Sequence, residues 1–111
     1  MTRLLAFVPD LMDRSKVAAA AGDRVRFVSS PAALAGDLRD ESGVTDLVVI
    51  DLGRPGVLDA LGDLQAVDPR PRVVGFGSHV DQGLLDQARA AGCDEVLARS
   101  VFFRRLPDLL A

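Results

Sequence analysis

The sequence predicts a doubly wound α/β domain built on a five-stranded parallel sheet. Five short apolar runs alternate with five stretches of helical periodicity, and glycine, proline or capping residues stand at the junctions. The third run, 46–51 (DLVVID), is apolar almost throughout, as a strand covered by helices on both faces must be. A chain of 111 residues suits one domain, spanning 1–111, with a core large enough to stand without staples.

The elements follow in order. Residues 3–8 (RLLAFV) form a buried strand, ended by Pro9, which has no N–H to donate to a ladder. Asp10 caps a helix over 11–21, Asp13 stands three residues on as a capping-box partner, and Gly22 closes it. Residues 24–29 (RVRFVS) alternate, with Val25, Phe27 and Ser29 on one face and Arg24, Arg26 and Val28 on the other, the pattern of a strand near a sheet edge. Ser30-Pro31 reads as a cap followed by a proline in the first helical position. That helix runs to about Glu41 and stops at Ser42-Gly43.

Gly53, Pro55 and Gly56 make the loop after the central strand. A third helix covers 57–67, with Val57, Leu58, Leu61, Leu64 and Val67 at helical spacing, and Pro69 and Pro71 bracket its exit. The fourth strand is 72–76 (RVVGF), followed by the loop Gly77-Ser78-His79 and a helix over 81–91 that ends at Gly92. The fifth strand is 94–98 (DEVLA), and Ser100 is placed to cap a last helix from about Val101 to Leu110.

Composition excludes several function classes. The net charge of −3 and the lack of a single-sign block argue against nucleic acid as a partner. Five Phe with no Tyr or Trp leave no platform for stacking bases. No apolar run approaches a membrane span, and the first ten residues are too short in their apolar run for a signal peptide, so a soluble cytoplasmic protein is expected. The single cysteine, Cys93, excludes an internal disulfide and reads as a small packing residue beside the fifth strand. Gly75-Phe76-Gly77 is a poor dinucleotide fingerprint, because it follows the fourth strand and Val80 takes the place of the third glycine.

In doubly wound sheets the working crevice lies at the carboxyl ends of the strands, where the strand order reverses. With the order 2-1-3-4-5, strands one and three are neighbours, and Asp10 and Asp51 share one rim. Ser29, Ser30, Gly77, Ser78, His79, Arg99 and Ser100 follow the other strands. His79, alone and without a second His or Cys, reads as a loop residue. An acid ending the most buried strand is costly unless paired or functional, which singles out Asp51.

Two segments carry a family resemblance over the whole chain. Asp51 in VVIDLGRPG, and the stretch Ala90-Ala91-Gly92-Cys93-Asp94-Glu95-Val96-Leu97-Ala98-Arg99-Ser100, are similar to the response-regulator receiver domain. The resemblance implies a flavodoxin-like fold and a phosphoacceptor at Asp51, charged by a partner histidine kinase. It implies Mg²⁺ held weakly by Asp10 and Asp51, and signalling to a downstream effector by protein–protein contact, with no enzymatic activity beyond autophosphorylation from a phosphodonor. Four departures mark the chain as an atypical or pseudo-receiver. Pro9 replaces the first acid, Arg99-Ser100 replaces Lys-Pro, Gly77 falls on the Ser/Thr position with Ser78 one place late, and Val96 takes the aromatic switch position. The only lysine, Lys16, lies in the first helix.

Arg99 keeps the charge of the missing lysine but not its compact ammonium, and its pairing with Asp51 would hold the site in one state. The resemblance places the signalling face on the fourth helix, fifth strand and fifth helix. A homodimer through the last strand and helix would set Arg104 and Arg105 against Asp94 and Glu95 of a second copy. The alternative is a small-molecule or anion-binding module in which loop amides, Gly77, Ser78 and Arg99 hold the ligand in the same crevice. A small enzyme is the third reading, and no nucleophile–base pair with an orienting group supports it.

Overall fold

A computed structural model describes residues 2–40 and 44–111. The strands are β1 (Leu4–Phe7), β2 (Val25–Phe27), β3 (Leu47–Asp51), β4 (Arg72–Gly77) and β5 (Glu95–Ala98). The helices are α1 (Leu11–Ala21), α2 (Ala33–Asp40), α3 (Val57–Leu64), α4 (Gln82–Ala90) and α5 (Arg99–Leu109), with a 3₁₀ turn at Gly22–Arg24. The sheet is parallel throughout in the order β2-β1-β3-β4-β5, as the strand–helix alternation predicts.

Alternation along each strand divides the core into two layers. Leu5, Phe7, Val48 and Ile50 point toward α2, α3 and α4, where Leu34, Leu38, Leu61, Leu64 and Leu85 close over them. Leu4, Ala6, Leu47, Val49, Val74 and Phe76 point the other way, against Val17 and Ala21 of α1 and Phe102, Leu106 and Leu109 of α5. Every residue of β1 and β3 is buried, whereas β2, at the edge, is only half-buried.

Element boundaries differ from the sequence reading where local hydrogen bonds compete. Ser30 and Pro31 do not start a helix: Ala33 and Leu34 donate to the carbonyls of Ser30 and Pro31, a tighter turn that delays α2 to Ala33. The expected stop at Ser42-Gly43 lies outside the described residues. α3 ends at Leu64 because Gln65, Ala66 and Val67 each donate to the carbonyl three residues back. Asp81 is the cap of α4 and not its first residue, accepting from the Leu84 N–H. Ser100 caps nothing: α5 begins at Arg99, directly after β5, and its cap position is Ala98.

Gly92 shows how the fifth unit is locked. Its φ of 106° is open to glycine and unfavourable for L side chains. A Cβ there would also collide with the Gln65 amide, which bridges Leu61 and Gly92 carbonyls. Arg70 donates to the same Gly92 carbonyl at 2.7 Å and to Asp94. Gly92→Ala should therefore cost about 1–3 kcal/mol of stability, read as a lower urea midpoint at unchanged m-value.

Candidate functional site

Asp51 ends β3 at the carboxyl rim of the sheet, one position beyond the pairing of Ile50 with Phe7 of β1. It is 7% exposed. Its Oδ1 accepts from the Gly53 N–H at 3.0 Å, and Arg54 Nε approaches its Oδ2 at 3.5 Å. Beside it opens a cleft of about 360 Å³, lined by Asp51, Gly53, Phe76, Gly77, Ser78, His79, Arg99 and Ser100. The loops after β3, β4 and β5 thus converge as the topology requires. His79 and Ser78 are exposed on its lip, and Gly77 and Phe76 are buried in its wall.

Asp10 stands on the same rim, after β1, but does not line the cleft. Its Oδ1 accepts from the Asp13 N–H at 3.0 Å and caps α1. That N–H, helped by the Met12 N–H and the Arg99 and Arg54 charges and opposed by desolvation, holds its carboxyl below the usual range. Asp13 does not reach back to complete a capping box.

Asp13 instead meets Arg99. Its side chain is wholly buried under α1, and Arg99 Nη2 donates to its Oδ1. The second oxygen, Oδ2, is buried without a hydrogen-bond partner among the described residues. The expected pairing of Arg99 with Asp51 is therefore replaced by a pairing with Asp13, and Arg54 is the cation at Asp51. The physical reason is reach: α5 starts directly at Arg99, beside α1, so its guanidinium turns toward that helix. Aromatic rings hold it there. Arg99 Cζ lies 5.5 Å from the Phe103 ring and 6.0 Å from that of Phe76, and Lys16 Nζ lies 5.0 Å from Phe103. Phe76 stacks on Phe102 with centroids 4.6 Å apart, and Phe103 meets both rings edge-on. Phe103 is half-buried in this cluster.

Asp13 and Arg54 are the site-side residues that sequence reasoning missed. The signal for Asp13 was present, since it shares a stripe at four-residue intervals with Val17 and Ala21, the face turned to the core. Arg54 lies three residues from Asp51 in the loop, where spacing alone says nothing about direction.

A magnesium ion at this rim would be held by the Asp10 and Asp51 carboxylates, in competition with Arg54 for Asp51. Among the described residues no three His, Cys, Asp or Glu side chains gather as ligands. Asp10 is engaged as a cap, Pro9 supplies no donor, and Arg54 already lies against the Asp51 carboxylate. Away from the rim, Glu95 binds Arg72 and Arg105, and Asp94 binds Arg70, all within one chain. Arg105 is thus paired within the chain. Burial lifts the Cys93 thiol to about 11, leaving it a packing residue.

No helix among the described residues is long and apolar enough to cross a membrane. No family model matches the chain, and no curated protein does. Solved structures do. A Hahella chejuensis response regulator superposes with a TM-score of 0.81 at 17% identity, covering 99% of this chain and 92% of that one. The signal receiver domain of the NarL response regulator from Mycobacterium tuberculosis gives 0.78 at 16% identity, over 97% and 91%. A Burkholderia pseudomallei protein described as pilus assembly-related gives 0.75 at 25% identity, over 99% and 87%. In strand order, helix placement and chain length, this protein has the flavodoxin-like fold of the response-regulator receiver domain.

Proposed function

We propose that the chain is a cytoplasmic, atypical receiver that signals by protein–protein contact, with its site held by internal ion pairs in place of a phosphoryl group. One observation carries this reading: Arg99, at the position where the family resemblance puts a phosphate-reading lysine, is bound to buried Asp13. Arg54 lies against Asp51 as well, so an incoming phosphoryl group and its metal would have to displace it.

The test is thermal. Beryllofluoride or acetyl phosphate with Mg²⁺ should leave the melting temperature of the wild type and of Asp51→Asn unchanged. A rise of about 4 °C or more, abolished by Asp51→Asn, would show that Asp51 accepts a phosphoryl group with Mg²⁺ and would sink the reading. A second reading is favoured by the cleft itself, in which Ser78, His79, Arg99 and Ser100 surround an open volume. A comparable rise with inorganic phosphate alone, without Mg²⁺, would establish that anion-binding module instead.

A further inference from the structure

Apart from the cleft beside Asp51, a shallow groove of about 350 Å³ lies between the start of α3 and α4. Pro55, Leu58 and Leu84 give it apolar walls, and both leucines are only half-buried. Val80, 78% exposed, stands at the head of α4, four residues before Leu84. Two charged residues line the groove: Arg54, from the loop before α3, and Asp59, from the first turn of α3.

Both charges have capacity left. The Arg54 side chain is 42% exposed, and only its Nε approaches Asp51, at 3.5 Å. Its Nη groups have no hydrogen-bond partner among the described residues, so four N–H donors point elsewhere. Asp59 is exposed and enters no ion pair among the described residues. The backbone around the groove is also bare. Gly62 follows Leu58 by one helical turn on α3, and Gly83 precedes Leu84 on α4. A Cβ at either position would meet nothing within 4 Å, so nothing inside the fold calls for glycine there. Glycine in a helix costs stability relative to alanine, and here it leaves room for a second chain to come close.

We propose that this groove is a homodimer interface, in which two copies meet about a two-fold axis. Arg54 of each copy pairs with Asp59 of the other, and Leu58, Val80 and Leu84 are covered. Charge selects the occupant. A patch with one free cation and one free anion is self-complementary under a two-fold axis, because each contact is made twice with its members exchanged. A uniformly acidic partner would set a like charge against Asp59, and a uniformly basic one against Arg54. An anionic membrane would find a single cation here on a chain of net charge −3. The patch is smaller than a standard interface, so weak association is expected, with a Kd on the order of 0.1 mM. This interface goes beyond the signalling reading above and does not depend on the state of Asp51.

Sedimentation equilibrium of the full chain tests it, from dilute to millimolar protein, with amide shifts of isotope-labelled protein followed over the same range. A dimer should form, weaken on addition of salt, and shift amides of residues 54–62 and 80–87. Arg54→Asp and Asp59→Arg should each raise the Kd at least about tenfold, since each sets like charge on like. The double variant, and an equimolar mixture of the two single variants, should return to within about threefold of wild type, because every reversed charge again meets its opposite. Val80→Ser should weaken the dimer at an unchanged melting temperature in dilute protein, because its side chain is already in solvent.

A chain that stays monomeric up to about 1 mM overturns the proposal. So does a dimer indifferent to both charge reversals, one that neither the double variant nor the mixture restores, or shifts confined to α1 or to β5 and α5. Should Arg54→Asp fail to fold, Asp59→Arg decides alone, since Asp59 is exposed on α3. A beryllofluoride-induced rise in melting temperature bears on Asp51 only, so failure of the interface and failure of the phosphate-free reading are told apart.

Discussion

Arg99→Ala should lower the unfolding free energy by about 3–5 kcal/mol, although Arg99 itself is a half-exposed surface residue. The cost arises at the other end of the contact. Asp13 has no exposed surface, and one of its oxygens already lacks a hydrogen-bond partner. Removing Arg99 leaves the other oxygen unpaired as well, in a layer made of Val17, Ala21, Phe76 and Phe102. A buried carboxylate without its cation bears its full desolvation penalty. Asp13→Asn in the Arg99→Ala background removes the charge and should restore about half of the loss. Urea unfolding of the wild type, the two single variants and the double variant closes the cycle, with a coupling of at least about 1 kcal/mol expected. Independent, additive losses would show that Asp13 does not depend on Arg99, and the reading of a site locked without phosphate would lose its main support.

Phe76→Ala should cost a similar amount, about 3–5 kcal/mol, for a different reason. Phe76 is fully buried in β4, stacks on Phe102, touches Phe103 edge-on and forms part of the cleft wall beneath Arg99. Truncation removes the area of one ring and leaves a void that β4 and α5, each fixed by backbone hydrogen bonds, cannot close. Phe102→Ala should cost as much, and the double variant less than the sum, because the two rings lose a shared contact only once. The urea midpoint should fall at constant m-value in each variant. A loss below about 1.5 kcal/mol for Phe76→Ala, the range of a tolerated volume-conserving swap, would show that the aromatic cluster is not what joins α5 to the sheet.

Both substitutions act on one structural unit, in which α1, β4 and α5 meet. Lys16 and Arg99 approach Phe103, Arg99 reaches Asp13, and Phe76 lies between the cluster and the cleft. Arg99 therefore both lines the cleft beside Asp51 and holds buried Asp13 of α1.

The architecture was legible in the residues because parallel α/β folds write themselves in local periodicity. The apolar runs around Leu5, Val48 and Val73 and the helical spacing of Val57, Leu61 and Leu64 survive in any context that buries them. The edge position of β2 followed from its alternation with Arg24 and Arg26. Boundaries were less legible: Ser30-Pro31 carries a helix-start signal, yet a three-residue hydrogen bond wins locally, and Ser100 lost its capping role because the chain leaves β5 already turning.

At the rim, residue order alone established that Asp10 and Asp51 end neighbouring strands and that Gly77, Ser78 and Arg99 arrive beside them, since topology carries strand ends to one side. Which charge meets which was decided only by the folded chain. Arg99 has acids within reach of a long, flexible side chain, and the choice of Asp13 over Asp51 depends on how α5 leaves the sheet, on the rings that pin the guanidinium and on Arg54 arriving from another loop. Periodicity is a property of neighbours along the chain, whereas ion pairing between α1 and α5 is set by distances across eighty-six residues of sequence.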